Sequence, residues 1–252
     1  FLGRTFEEVM PPHMVQLQRE AMARAREHGL QEIDYSLDLP VGRRDFNARL
    51  AWLAESGHCM FLVRDVTEQR ATQRERERLN EFVLLLFSLA NRFINLPVHE
   101  ADHAINEALG DMGRFVDADR AYLFDYDMDA ETASNTHEWC NDGVSPEIHN
   151  LQNLPFALIP EWIGFHRIDQ VMYVPVVDDL APGNLRDLLS AQGIRSLIAI
   201  PLSHGDRCLG FVGLDSVRHT HNYGEEETTL LRLFAQMLVN IRLRVEAEEQ
   251  IQ

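Results

Sequence analysis

The sequence predicts an α+β protein built on antiparallel strands, and three observations carry that prediction. Two apolar runs, Ser196–Leu202 and Cys208–Leu214, flank a polar Ser203–Arg207 turn containing Gly205 and Asp206, the pattern of a β-hairpin. Three further strand candidates, Gln31–Leu39, Arg43–Ala54 and His58–Val66, turn at Pro40-Val41-Gly42 and at Glu55-Ser56-Gly57. Between and after these strands, long segments repeat apolar residues at three- and four-residue steps, the period of a helix with one buried face.

Taken in order, Met14–His28 sets Met14, Leu17, Ala21 and Ala25 on one helical stripe that ends at Gly29. Three strands follow, and Asp65 with Glu68 three residues later suits a helix capping box. From Glu68 to Leu79 the chain is nearly all charge and glutamine, with no Pro or Gly. It reads either as a solvated helix or as a coiled-coil connector with a polar seam. The helix then turns apolar at Leu79, Phe82, Val83, Leu86, Ala90 and Phe93 and stops before Pro97. His99–Val116 is a second helix, with Ile105, Leu109 and Met112 on one side. Arg120–Asp127, Thr132–Cys140 and Val171–Val177 are strand candidates, with a turn at Asn141-Asp142-Gly143. Short helices are expected within Pro155–Ile168 and at Asn184–Gln192. Glu225, Glu226 and Glu227 complement the dipole of a last helix, whose stripe runs through Leu230, Phe234, Met237, Ile241 and Val245 before fading into Glu246–Gln252.

Arginine supplies the whole positive side of a formal charge of −17, because the 252 residues include no lysine. That removes Schiff-base chemistry, the phosphate-loop lysine and the kinase strand lysine. Such acidity argues against nucleic acid or an anionic membrane surface as a partner. The longest unbroken apolar run, Phe82–Phe87, is far too short to span a bilayer, and no secretory signal is visible. Cys59, Cys140 and Cys208 lie far apart, which makes neither a disulfide framework nor a zinc knuckle and fits a reducing cytoplasm. The chain starts at Phe1 rather than Met, so a piece of a longer protein is expected.

The stretch GIRSLIAIPLSHGDRCLGFVGLDS, Gly193–Ser216, resembles the closing hairpin of a GAF domain, in which an Ile-x-Ser-x-x-x-x-Pro-Leu strand and a Gly-rich strand precede the final helix. The resemblance implies a central antiparallel sheet with helices on both faces over residues 80–252. Residues 1–67 resemble the C-terminal half of a PAS domain, closing on Arg-Asp-Val-Thr-Glu, with Gly3–Val9 similar to a PAS mid-domain helix. The first two strands of such a domain would lie upstream of Phe1. Residues 68–79 form the linker helix. Together the resemblances imply a non-catalytic sensory and relay module of a cytoplasmic bacterial signalling protein. A small molecule would bind in the GAF domain, and paired flanking helices of a homodimer would pass the signal to a C-terminal output domain. Histidine kinases and cyclic di-GMP synthases or hydrolases are the usual outputs in such architectures. A ligand-free dimerisation and spacing module is the alternative, and a thiol- or zinc-dependent enzyme the remote one.

His99-Glu100-Ala101-Asp102-His103 satisfies H-E-x-x-H, but Pro97 two residues upstream puts it in the exposed first turn of a helix, where a zinc hydrolase would need it buried with a third ligand. It reads as a chance match, and neither metal nor catalytic residues are assigned. Bilin-binding GAF domains attach the tetrapyrrole through a Cys usually followed by His, whereas Cys140 precedes Asn141 and Cys208 precedes Leu209. The lysine-containing signature of cyclic-nucleotide-binding GAF domains cannot be met. What remains is a pocket: Asn135, His137 and Trp139 alternate onto one face of their strand. The candidates to line it are Tyr122, Phe124, His137, Trp139, Phe156, Trp162, Phe165 and Tyr173. These aromatics serve equally as core or as walls for a flat ligand, and a haem would need His137, His149 or His166.

Overall fold

The computed structural model describes residues 3–94 and 96–249, so the expected run of the last helix through residues 250–252 lies outside the described residues. The chain divides into two units, one ending at Asn80 and the other beginning at Glu81. In the first, a short helix α1 (Phe6–Val9) precedes α2 (Pro12–His28), and three strands follow, β1 (Gln31–Leu39), β2 (Gly42–Leu53) and β3 (His58–Asp65). Pro12 opens α2 where a missing N–H costs nothing, and Gly29, at φ 80°, closes it by donating its N–H to the Ala25 carbonyl. The strands pair antiparallel in the order β1-β2-β3. Ala21 and Ala25 of α2 are buried with Ala48 and Leu50 of β2, and Ile33, Trp52 and Phe61 complete a small core.

Helix α3 (Thr67–Ile94) starts directly after β3. The Asp65 carboxylate accepts the Thr67 N–H at 3.0 Å and the Thr67 hydroxyl at 2.6 Å, so it caps the residue two positions on instead of Glu68. Two arginines of the charged segment bind the sheet: Arg70 reaches Asp34 at 2.6 Å, and Arg74 reaches the buried Asp45 at 3.0 Å. Asp45 also accepts from the Ser36 hydroxyl at 2.5 Å.

The second unit has a six-stranded antiparallel sheet of β4 (Arg120–Asp127), β5 (Thr132–Cys140), β6 (Leu154–Pro155), β7 (Met172–Val174), β8 (Ser196–His204) and β9 (Arg207–Ser216), in the order β6-β5-β4-β9-β8-β7. Helices α4 (Ala101–Phe115) and α7 (Glu225–Glu249) pack on one face, and α5 (Pro160–Arg167) and α6 (Asn184–Ala191) lie over the other. This is the α+β arrangement expected from the sequence, with helices on both faces. Leu109 and Met112 of α4, Leu197 and Ile200 of β8, and Leu230 and Phe234 of α7 are fully buried in one continuous core. Phe93 of α3 joins that core against Phe234, with ring centroids 5.7 Å apart. Trp139 explains two glycines that a helix would otherwise disfavour. A Cβ on Gly110 would sit 2.9 Å from its Cδ1, and one on Gly113 would collide with the ring.

Candidate functional site

Alternation along β4 turns Arg120, Tyr122 and Phe124 to the face beneath α5 and α6. The register places Gly213 of β9 opposite Tyr122 and Phe211 opposite Phe124. The Phe124 and Phe211 rings stack with centroids 4.5 Å apart and planes 10° from parallel. A Cβ on Gly213 would strike the Tyr122 ring and lie 3.0 Å from the Ile198 carbonyl oxygen, so the bare backbone makes room for the phenol. Trp162 of α5 stands over Phe211 at 5.1 Å, and Leu188, Leu189 and Ile194 close the side. The cavity they leave is about 40 Å³, room for a few water-sized groups.

Its polar end is a buried ion pair. Arg120 Nε donates to Asp215 Oδ1 at 3.0 Å and Oδ2 at 3.2 Å, Nη2 donates to the Gln192 carbonyl at 3.3 Å, and Nη1 stands 3.9 Å from Glu147. Both partners are essentially inaccessible to solvent. Burial pushes the Asp215 carboxyl up to about 7, against the pull of the guanidinium. Burial also works to lower Arg120, but the Asp215 charge and hydrogen bond outweigh it, so the guanidinium is held above its usual value and stays charged. Glu138, also on the cavity wall, accepts the backbone N–H groups of Glu147 at 2.8 Å and Ile148 at 2.9 Å through Oε2. Burial still leaves its carboxyl raised.

Tyr122, Phe124 and Trp162 line this cavity, and the other five expected residues do not. The expectation that Asn135, His137 and Trp139 share a face fails at a β-bulge. Phe124 pairs with Asn135 while Leu123 pairs with His137, so Thr136 is the extra residue and the alternation flips across it. Trp139 therefore packs on α4, with Arg114 stacked over its ring at 5.6 Å. His137 Nε2 meets Asp102 at 3.2 Å in a groove of about 370 Å³ between α4 and α7. Phe156 is buried against Tyr126, Phe165 points outward, and the half-exposed Tyr173 donates its hydroxyl to Asn222 at 2.7 Å. The residues missed from the sequence include every polar one, Arg120, Glu138, Gln192 and Asp215, together with Phe211 and the aliphatic walls. A signal for two of them was present: a charged residue stands at one end of each central strand, and Arg120 and Asp215 are direct cross-strand partners.

The remaining chemical candidates sit elsewhere. His99 and His103 are exposed and pair with Glu100 at 3.5 Å and Glu107 at 3.4 Å, and no metal-binding group of His, Cys, Asp and Glu occurs among the described residues. Burial pushes the Cys140 thiol up to about 11, and Cys208 Sγ donates to the Gly210 carbonyl at 3.3 Å. Of the histidines weighed for haem, His149 is exposed. His166 is buried, pairs through Nδ1 with the Tyr126 hydroxyl at 2.7 Å, and is pushed by burial down to about 3.

The fold belongs to a known class of sensory domain: residues 100–241 match the family described as the GAF domain, and the chain is a member of that family. Among curated proteins, it is 33% identical over 180 residues to the methanogenesis regulatory histidine kinase FilI of Methanothrix harundinacea. That match takes in 69% of this chain and 20% of FilI, so the chain spans about a fifth of the length of its relative. Among solved structures, the phycocyanobilin-bound GAF domain of a cyanobacterial phytochrome superposes with a TM-score of 0.56 at 15% identity, over 66% of this chain and 96% of that one. The chromophore-binding domain of a bacteriophytochrome from R. palustris superposes with a TM-score of 0.53 at 17% identity, over 93% of this chain and 80% of that one. At these identities the likeness is one of fold. No helix among the described residues is long and apolar enough to cross a membrane.

Proposed function

We propose that this chain is the sensing and relay segment of a cytoplasmic signalling protein of the bacterial type. Its GAF domain takes a small molecule in the cavity under Trp162, and the flanking helices of a homodimer carry the change to an output domain beyond residue 252. The first unit is the C-terminal half of a PAS domain. The observation that carries the reading is the cavity itself: an aromatic enclosure ending in a buried Arg120–Asp215 pair, on the sheet face away from the flanking helices α3 and α7. Membership in the GAF family and the match to a regulatory histidine kinase support the sensory role. The name of that relative favours a kinase as the output, with a cyclic di-GMP enzyme as the alternative. Exposed apolar residues on the flanking helices support pairing: Val83, Leu84 and Phe87 of α3 and Leu233 of α7 are 45%, 59%, 64% and 42% accessible.

The bound bilin of the phytochrome neighbour does not fit here. A cavity of about 40 Å³ falls far short of the several hundred that pockets for large ligands need, and its walls hold no cysteine. The same small volume favours a second reading, a nearly solid GAF core acting as a dimerisation and spacing element. Native mass spectrometry with an absorbance spectrum from the same sample separates the two. A dimer carrying extra mass establishes ligand sensing, a bare dimer moves the weight to the spacer, and a clean monomer at high micromolar concentration refutes pairing.

A further inference from the structure

The cavity under Trp162 has a hydrogen-bond donor left over. Trp162 is only 5% exposed, and its indole Nε1–H is buried with no partner among the described residues. A buried N–H in that state is costly unless something in the adjoining space accepts from it. Arg120, paired with Asp215 at 3.0 Å and with Glu147 at 3.9 Å, is the charged residue beside it. Both residues wall the same cavity.

Charge on those walls decides which acceptor belongs there. Arg120 is already matched by Asp215 at 3.0 Å, and Glu138 adds a further carboxylate. An incoming anion would find the guanidinium already engaged by Asp215 and a second carboxyl group beside it in a desolvated space, whereas a neutral carbonyl or hydroxyl oxygen accepts from the indole without needing a free cation. Glu138 spends Oε2 on two backbone N–H groups, which leaves Oε1 to accept an N–H or O–H from the same molecule. The remaining surface is apolar, with Phe124, Phe211 and Leu189 among its walls, and about 40 Å³ holds only a few heavy atoms.

We infer that the cavity selects a small uncharged polar molecule of the amide or alcohol class, with an oxygen for Trp162 Nε1–H and a donor for Glu138, over a carboxylate of the same shape. This rests on the ligand-sensing reading above and adds to it the chemical class of the ligand.

Acetamide and acetate are the test pair, because they share a shape and differ in charge. The full chain is labelled with 15N, and its three indole N–H signals are followed near pH 7, that of Trp162 being the one lost in Trp162→Phe. The expected result is a saturable shift of the Trp162 signal by acetamide at concentrations about tenfold or more below those at which acetate acts, a gap of about 1.4 kcal/mol. Glu138→Gln, which keeps Trp162 and removes one carboxylate, is expected to narrow that gap. Acetate acting as readily as acetamide overturns the class and leaves ligand sensing standing. If neither moves the Trp162 signal, this inference fails, and a protein that also carries no extra mass by native mass spectrometry takes the ligand-sensing reading down with it.

Discussion

Lowering the pH should loosen the GAF unit through a single imidazole, His166. The ring is 1% exposed, lies 5.2 Å from the Phe211 ring, and is pushed by burial down to about 3. In the unfolded chain it titrates near 6.5. A group depressed in the folded state contributes stability above its unfolded pKa and loses it as the pH falls toward its folded one. Folding must therefore strip a proton from His166 at any pH between about 6.5 and 3. Linkage puts the loss at about 2 kcal/mol between pH 7.5 and pH 5, rising toward about 5 kcal/mol near pH 3. Other groups titrate over the same range, so the assay is a difference between the wild type and His166→Gln, which keeps an acceptor for the Tyr126 hydroxyl. Urea unfolding, followed by tryptophan fluorescence, is run on both proteins at pH 7.5 and pH 5. The stability advantage of the wild type should shrink by about 2 kcal/mol on going to pH 5. A difference that stays constant between the two pH values refutes the claim that the ring is held neutral.

Two further substitutions probe the packing of the sheet. Asp215→Asn strands the buried Arg120 guanidinium and should cost about 3–5 kcal/mol, whereas Arg120→Met with Asp215→Leu should recover most of that; urea midpoints for the two proteins decide it. Gly113→Ala, which drives a methyl into the Trp139 ring, should destabilise by about 1–3 kcal/mol and shift the Trp139 emission, while Gly164→Ala, inside α5 where a Cβ meets open space, should stabilise by about 0.5–1 kcal/mol.

The fold was legible because its signals are local and repeated. The β8–β9 hairpin stands where its turn residues put it, and Leu230, Phe234 and Ile241 of the α7 stripe are buried, with Met237 half-buried between them. Tyr122, Phe124 and Trp162 could be named as wall residues from aromatic content on strands and a short helix. The face of His137 and Trp139 could not, because one extra residue at Thr136 inverts the alternation and nothing in the local composition marks it. Two-residue β6 is shorter than any periodic signal, and β7 falls inside the expected Val171–Val177 strand but keeps only three of its residues. The polar end of the cavity was hidden for a different reason. Arg120 and Asp215 are 95 positions apart, and only the pairing of β4 with β9 makes them partners.

The two sheets end very differently. The six-stranded sheet stops at β6 and β7, stubs of two and three residues, and very short edge strands of this kind blunt an edge against a further strand. The three-stranded sheet ends on full-length strands, nine residues in β1 and eight in β3, and β3 presents Met60, Leu62 and Val63 to solvent. By the rules that govern cross-β assembly, colloidal trouble in this chain begins at the first unit, and β3 is where a solubilising charge or proline would do most good.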